Sequence, residues 1–376
     1  MKILMLNHEF PPVGGGSSPV TFELCTHLAK LGHTVDVVTM HYKDTPRYER
    51  VNGFNIYRTP ALRARPNICL PYELATYLPG AFFKTLKLCR QNKYDIIHCH
   101  FLVPGSLLAY LISKITKIPF IVTCHGSDVP GHNPDRFVLL HKLIKPFWRF
   151  LAIGANRLTA PSNFLKNRII TNSDNLTVDV IPNGLDTTGL KPAEKTKSIL
   201  MCSRLFKFKG FQYALQALSQ IDCDWQVNII GEGPFRGELE KEAKDIKKMP
   251  IKFYGWIDRK DTVFFELFNS GSIFVFPSEM ENFPTVLLEA MAAGMAVITS
   301  SAGGCSEVVG DAAILVSPRD SQAIESGLKQ LLGNKDLRCR LQAAAVERAK
   351  LFGWDKVAKK YIQCYENIIA KADDSR

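Results

Sequence analysis

The 376-residue chain contains no run of about 18 apolar residues, so no transmembrane helix is expected. Its ten cysteines are scattered and include no C-x-x-C pair. That argues against a zinc ribbon or a disulfide framework and fits a reducing cytoplasm. Cys124 and Cys202 end apolar runs and are expected to be buried. The N-terminus turns polar at Asn7-His8-Glu9, too soon for a secretory signal. No five or six like charges stand together, so nucleic acid is not an expected partner. There is no internal repeat and no low-complexity stretch. Gly14-Gly15-Gly16 is not G-x-G-x-x-G, and the second strand ends at Met40-His41 without an acid to hold a ribose, which argues against an NAD-dependent oxidoreductase.

What is present is ordinary globular material, 46% hydrophobic and 22% charged, long enough for two domains. The net charge of +11 is unevenly divided. Residues 1–185 hold 21 Lys/Arg and 11 Asp/Glu, a balance of +10; the remaining 26 and 25 leave +1. A positive first half points to an anionic partner there, a phosphorylated acceptor or a phospholipid surface.

Short Val/Ile-rich runs alternate with helical stretches, the signature of parallel βαβ units. In the first half the expected strands begin at Ile3, Thr34, Phe54, Tyr94, Pro119, Arg157 and Val178. The pattern restarts at Ile199, then at Gln226, Ile251, Ile273, Ala296 and Ala313. Ser18 is expected to cap a first helix that starts at Pro19 and stops at Gly32. Leu185 to Lys197 lacks periodicity and reads as a linker. The prediction is an α/β protein of two doubly wound, Rossmann-like domains facing across a cleft: residues 1–185, then 186–353. A terminal helix from about 354 to 370 has Val357, Tyr361, Ile362, Tyr365 and Ile368 at helical spacing and can pack on either domain.

The chemistry concentrates in the second half. Glu281 and Glu289 stand at E-x7-E spacing around the start of a helix predicted over Thr285 to Ala293. One carboxylate lies before the helix and the other about two turns into it. The free N–H groups of the first turn favour an anion, typically phosphate. Two carboxylates for hydroxyls with an anion site between them suit a sugar nucleotide; a surface Glu and a solvated helix Glu are the plainer reading. Arg204 and Lys209 follow a strand and can clamp a diphosphate. Gly231 and Gly233 follow another and allow close approach of a planar base. His125 ends a first-domain strand, at the edge where α/β ligands bind. Asp222-Cys223-Asp224 spells D-x-D, but at the amino edge of the sheet, where it reads as a turn rather than a metal site.

These pieces, in order, resemble the family 4 glycosyltransferases of GT-B fold. The likeness runs from Pro11-Pro12-Val13-Gly14-Gly15-Gly16 through His98-Cys99-His100, His125-Gly126-Ser127-Asp128, Ile181-Pro182-Asn183-Gly184 and Ser203-Arg204-Leu205 with Lys209-Gly210. It continues through Gly231-Glu232-Gly233-Pro234, the E-x7-E block and Gly303-Gly304, and closes at Phe352-Gly353-Trp354. The resemblance implies a retaining transferase that moves a hexose-type sugar from a UDP- or GDP-sugar to a hydroxyl of a carbohydrate or lipid-linked acceptor. It implies catalytic roles for His125, Glu281, Arg204 and Lys209. Donor contacts would come from Gly231, Gly233, Asn282, Phe283, Pro284, Thr285 and Val286, with Glu289 on the ribose. Gly15, Gly16 and His100 would lie on the acceptor side, and His98 in the core. No cofactor and no metal are expected. A sugar-nucleotide epimerase of similar plan is the alternative. Two basic and apolar segments, 82–93 and 141–149, and the loop expected over 62–79, are either ordinary solvated surface or a seat on an anionic membrane at the cytoplasmic face.

Overall fold

The computed structural model describes residues 1–376 except 67–68, 132–137, 174 and 375–376, and leaves out the side chains of residues 138–142 and 373–374. The chain divides into two compact units, Met1–Gly184 with Trp354–Arg376, and Leu185–Gly353.

Unit 1 runs β1 (Lys2–Leu6), α1 (Ser17–Lys30), β2 (Thr34–Met40), β3 (Tyr48–Val51), β4 (Phe54–Thr59), α2 (Pro71–Gln91), β5 (Ile96–His100), α3 (Leu107–Thr116), β6 (Phe120–Thr123), α4 (Val138–Gly154), β7 (Arg157–Ala160), α5 (Asn163–Ile170) and β8 (Val178–Val180). Unit 2 runs β9 (Ser198–Cys202), α6 (Phe211–Ser219), β10 (Gln226–Ile230), α7 (Arg236–Lys244), β11 (Ile251–Gly255), α8 (Thr262–Ser270), β12 (Ile273–Phe276), α9 (Thr285–Ala292), β13 (Ala296–Ser300), α10 (Cys305–Val309), β14 (Ala313–Val316), α11 (Ser321–Gly333) and α12 (Lys335–Ala349). The last helix, α13 (Trp354–Asp374), returns to unit 1.

The first sheet has the order β3-β4-β2-β1-β5-β6-β7-β8 and the second β11-β10-β9-β12-β13-β14. Every described pairing is parallel except β3 with β4. Parallel strands need helical crossovers, so both faces are covered and the central strands are buried on both sides, as Ile-Ile-His-Cys-His of β5 shows. In unit 1, α1 and α13 build one apolar layer around Leu24, Trp354, Tyr361 and Tyr365. Helices α2, α3 and α4 build the other around Tyr77, Leu108, Ile112, Trp148 and Leu151.

Four expectations are corrected. Helix α1 starts at Ser17, and the Ser18 hydroxyl donates to the Val13 carbonyl at 2.7 Å instead of capping. The expected 62–79 loop ends at Leu70, because α2 begins at Pro71; Pro71 suits a helix start, and Glu73 accepts from the Leu70 N–H at 2.7 Å. Strand β3 was not foreseen, since an exposed edge strand lacks an apolar signature; its turn, Asn52-Gly53, has positive φ at both residues and was the legible clue. Cys124 is buried but Cys202 only partly, and all ten cysteines are free. Of the segment 141–149, the side chains of His141 and Lys142 lie outside the described residues.

Candidate functional site

In unit 2 the loops after β10, β9, β12 and β13 are neighbours at the carboxyl edge of one sheet. Backbone contacts lock them together. Leu205 N–H donates to Glu232 O at 2.8 Å and Glu279 N–H to Phe208 O at 2.8 Å. Glycine is needed where these backbones cross. A Cβ at Gly231, whose φ is +140°, would sit 1.8 Å from Ser203 O; one at Gly233 would sit 2.3 Å from Leu205 O. The two glycines thus serve the packing of loop on loop. Gly303 and Gly304, given no role from sequence, cradle the Glu281 segment: a Cβ on Gly304 would lie 1.7 Å from Asn282 O, and the Gly304 N–H donates to Glu281 O at 2.8 Å.

On this scaffold Lys209 and Glu281 meet. Both side chains are largely buried, and the Lys209 ammonium is ion-paired with the Glu281 carboxylate. The expected diphosphate clamp and the expected sugar-facing carboxylate are therefore partners of one another in this state. Arg204 is exposed and stacks over Phe206 at 5.4 Å. Asn282 to Pro284 lead into α9, whose first turn has Pro284 at its cap and no side chain capping it. Two turns in, Glu289 is 5% exposed. Arg259 holds its Oε1 at 2.8 Å, while its Oε2 is buried without a hydrogen-bond partner. Burial pushes the Glu289 carboxyl above its ordinary range, and the Arg259 guanidinium opposes that. Arg259 also reaches the Thr285 hydroxyl at 3.5 Å. It was missed from sequence, since a lone Arg in a polar loop carries no pattern. Asp222 and Asp224 are ion-paired with Lys248 and Lys197 ahead of β10, away from this edge.

Unit 1 gathers a second constellation. His125 follows β6, and its loop is organised by Asp128, which accepts from the His125, Gly126 and Leu102 N–H groups at 3.0, 2.9 and 2.7 Å. Asp128 is buried, which raises its carboxyl pKa against those hydrogen bonds. His100 lies fully buried behind His125, with Nδ1 2.9 Å from His125 Nε2. His98 stacks on His100 at 4.5 Å and satisfies both ring nitrogens, on Tyr365 of α13 and on Thr123, each at 2.7 Å. Phe101 contacts both His8 and His125 at 4.8 Å between ring centroids. Burial lowers the pKa of His8 to about 4 and of His98 and His125 to about 3, and that of His100 well below the ordinary value, so these rings are neutral. The glycine loop closes on Glu9, an acid not singled out from sequence: Gly15 N–H donates to its Oε2 at 3.0 Å and the Ser17 hydroxyl at 3.1 Å. Of the three glycines only Gly14 has positive φ; Gly16 stands at the cap of α1. Gly184 seats the Trp354 ring, with a Cβ there 2.3 Å from it.

Two Rossmann-like α/β units of this topology are the GT-B fold. Sucrose-phosphate synthase from Thermosynechococcus elongatus is similar over 99% of this chain and 100% of its own, with TM-score 0.82 and 20% identity. HepE from Anabaena, in complex with UDP, is similar over 98% and 100%, with TM-score 0.78 and 16% identity. Residues 14–188 match the family model for Glycosyltransferase Family 4, and residues 187–348 that for Glycosyl transferases group 1. The chain belongs to the family 4 glycosyltransferases. An uncharacterized glycosyltransferase of Methanocaldococcus jannaschii is 29% identical across 97% of this chain and 98% of its own. N-acetyl-alpha-D-glucosaminyl L-malate synthase of Bacillus anthracis is 26% identical across 95% of each. The epimerase alternative falls, because both family models describe glycosyl transfer.

Proposed function

We propose that the chain transfers a hexose-type sugar from a UDP- or GDP-sugar to a hydroxyl acceptor with retention, and without a metal. The observation that carries the donor assignment is Glu289: a buried carboxylate with one oxygen on Arg259 and the other without a partner. It stands on the helix whose N-terminus follows Glu281 to Pro284. Ribose hydroxyls satisfy such an oxygen, and the free N–H groups of α9 suit the diphosphate or sugar beside it. The neighbour HepE was solved with UDP, which supports the same class of donor. Gly231 and Gly233 border the base, and Asn282, Phe283, Pro284, Thr285 and Val286 line the donor.

Arg204 and Lys209 stabilise the departing diphosphate, the role a metal plays elsewhere. For Lys209 this requires a bound diphosphate to compete with Glu281 for the ammonium, so that donor binding frees the Glu281 carboxylate for the sugar. The departing phosphate oxygen takes the acceptor proton as the new bond forms on the same face. Unit 1 serves the acceptor. His125, held neutral, contacts the transferred sugar, with His100 behind it setting its ring; Gly15 and Gly16 border the acceptor. A carbohydrate or lipid-linked acceptor fits, met at the cytoplasmic face of a membrane. The test is calorimetric titration with UDP and GDP, followed by donor hydrolysis with and without acceptor. Binding of one nucleotide that Glu289→Ala abolishes and Glu281→Ala spares is expected. Nucleotide binding untouched by Glu289→Ala sinks the donor assignment.

A further inference from the structure

Helices α3 and α4 lie side by side on the same layer of unit 1, with Tyr110 of α3 against Phe150 of α4 at 5.1 Å and a Gly154 Cβ position 2.9 Å from the Tyr110 ring. Their inner faces are fully used. Leu108, Ala109 and Ile112 are buried on α3, and Trp148, Leu151 and Ala152 on α4, with the Trp148 indole donating to Asp128 O at 2.7 Å. Their outer faces are not what water selects. Leu143 is 71%, Phe147 41%, Phe150 51% and Ile153 57% exposed; Leu111 and Ile115 on α3 are 43% and 55% exposed. On α4 the spacing of 4, 3 and 3 residues puts all four on one side of the helix. The four on α4 make an apolar stripe, with two more exposed apolar side chains on the neighbouring α3, and a stripe of that kind marks an interaction site.

The rim is basic. Lys114 lies over the Tyr110 ring at 5.2 Å, and Lys117, Lys145 and Arg149 are exposed nearby. Tyr110, Lys114, Lys117 and Asn156 line an open groove of about 740 Å³ at the end of α3. Unit 1 as a whole carries 26 Lys/Arg against 15 Asp/Glu. A second copy of so positive a unit is repelled from this face, whereas an anionic surface is attracted to it.

We propose that the outer face of α3 and α4 docks on an anionic phospholipid bilayer, with Leu143, Phe147, Phe150 and Ile153 entering the headgroup boundary and Lys114, Lys117 and Arg149 meeting lipid phosphate. An amphipathic surface binds in this way through apolar area plus attraction to acidic lipid. Among the described residues no helix is long and apolar enough to cross a membrane, so the docking is peripheral. The inference deepens the reading of a membrane-presented acceptor, and it rests on that reading only for its purpose, since lipid binding needs no sugar transfer.

The test is co-sedimentation of the full chain with vesicles of phosphatidylcholine alone and of equal parts phosphatidylcholine and phosphatidylglycerol, at low and high salt. Binding to the phosphatidylglycerol vesicles alone, weakened by salt, is expected. The double variant Leu143→Ser with Phe147→Ser, and separately Lys114→Glu with Arg149→Glu, should each weaken it about tenfold or more. Trp256→Ser, which removes an exposed apolar side chain of unit 2, should change nothing. All of these variants should keep wild-type UDP or GDP binding, which reads the donor site independently. Wild-type protein that stays in the supernatant at low salt overturns the proposal. So does equal binding by the variants, or a wild-type dimer in light scattering that Leu143→Ser with Phe147→Ser splits, which would assign the face to a second copy.

Discussion

The two units share one architecture and differ in how they handle charge. Unit 1 holds 26 of the 47 basic and 15 of the 36 acidic residues, a balance of +11; the 21 and 21 that remain cancel in unit 2. Unit 2 buries charge: Glu281 with Lys209, and Glu289 against Arg259. Unit 1 buries charge as well, in Arg58, Arg63, Glu73 and Asp128, but its histidine cluster consists of rings that can charge and are held neutral: His8, His98 and His100. Unit 1 also concentrates exposed apolar side chains on α3 and α4, whereas those of unit 2 (Phe208, Trp256, Val263, Leu315, Leu351) stand on separate elements. The same sheet-and-helix plan therefore yields a site built from a buried, incompletely paired carboxylate in one unit and a stack of neutral imidazoles in the other. A Rossmann-like scaffold fixes where loops converge, not which charges they bring.

The largest expected contrast is with pH. The buried histidines titrate near 6.5 in the unfolded chain and lower when folded, so below pH 6.5 the unfolded state binds more protons and unit 1 loses stability. At pH 5 each ring kept neutral costs about 2 kcal/mol, with a smaller share for half-buried His125. Glu289 has the opposite sign: its folded pKa is raised, so its contribution improves as pH falls through that pKa toward 4.5. Hydrogen exchange followed by mass spectrometry at pH 7 and pH 5, corrected for intrinsic rates, should show β5, β6 and α13 losing protection while α9 does not. Equal loss in both units would erase the contrast.

Next in size is Gly304→Ala, where the added Cβ meets Asn282 O at 1.7 Å. A cost of about 3 kcal/mol is expected, read as a lowered denaturation midpoint of unit 2 with the Glu281 segment displaced. Gly16→Ala in unit 1 meets nothing within 4 Å and should be close to neutral. If the two behave alike, the loop-on-loop packing is not what holds the site.

Lys209→Ala removes the partner of Glu281 and, in the mechanism proposed above, a contact to developing negative charge. About 1.5–3 kcal/mol corresponds to turnover lowered about tenfold to a hundredfold. Asp128→Asn keeps one accepting oxygen but turns an amide N–H₂ toward the Leu102 N–H, at about 1–2 kcal/mol. It should lower kcat and leave nucleotide affinity unchanged, because Asp128 orders backbone of unit 1 alone, at His125, Gly126 and Leu102. A matching loss of nucleotide affinity would break the division of labour between the units. The smallest effect is expected from Arg259→Ala, whose side chain is half exposed: about 0.5–1 kcal/mol in nucleotide binding by calorimetry.

The alternation of short apolar strands with helices was legible in every strand but β3, because strands buried on both faces are rich in Val, Ile, Leu and Phe. Thr34–Met40, Arg157–Ala160, Gln226–Ile230, Ile273–Phe276 and Ala313–Val316 begin at their expected residues. Strand β3 escaped because its pattern, Tyr-Glu-Arg-Val, is exposed and polar. The candidate site was legible as a set of residue types in order. Its pairings were not: nothing local in the chain says that Lys209 finds Glu281 72 residues away, or that Arg259 finds Glu289.

By itself, then, the sequence determined the class of fold, the segments that form it and the short motifs proposed to carry chemistry, since these depend on periodicity and neighbours a few residues apart. Tertiary structure alone decided what each motif does to another. It turned Gly303-Gly304 into the cradle of Glu281 and Gly184 into the seat of Trp354, sent Tyr365 of the last helix beneath His98, and left one oxygen of Glu289 buried without a partner. The physical reason is that close backbone crossings, burial and ion pairing are set by distances in space between residues far apart in the chain, which no local pattern encodes.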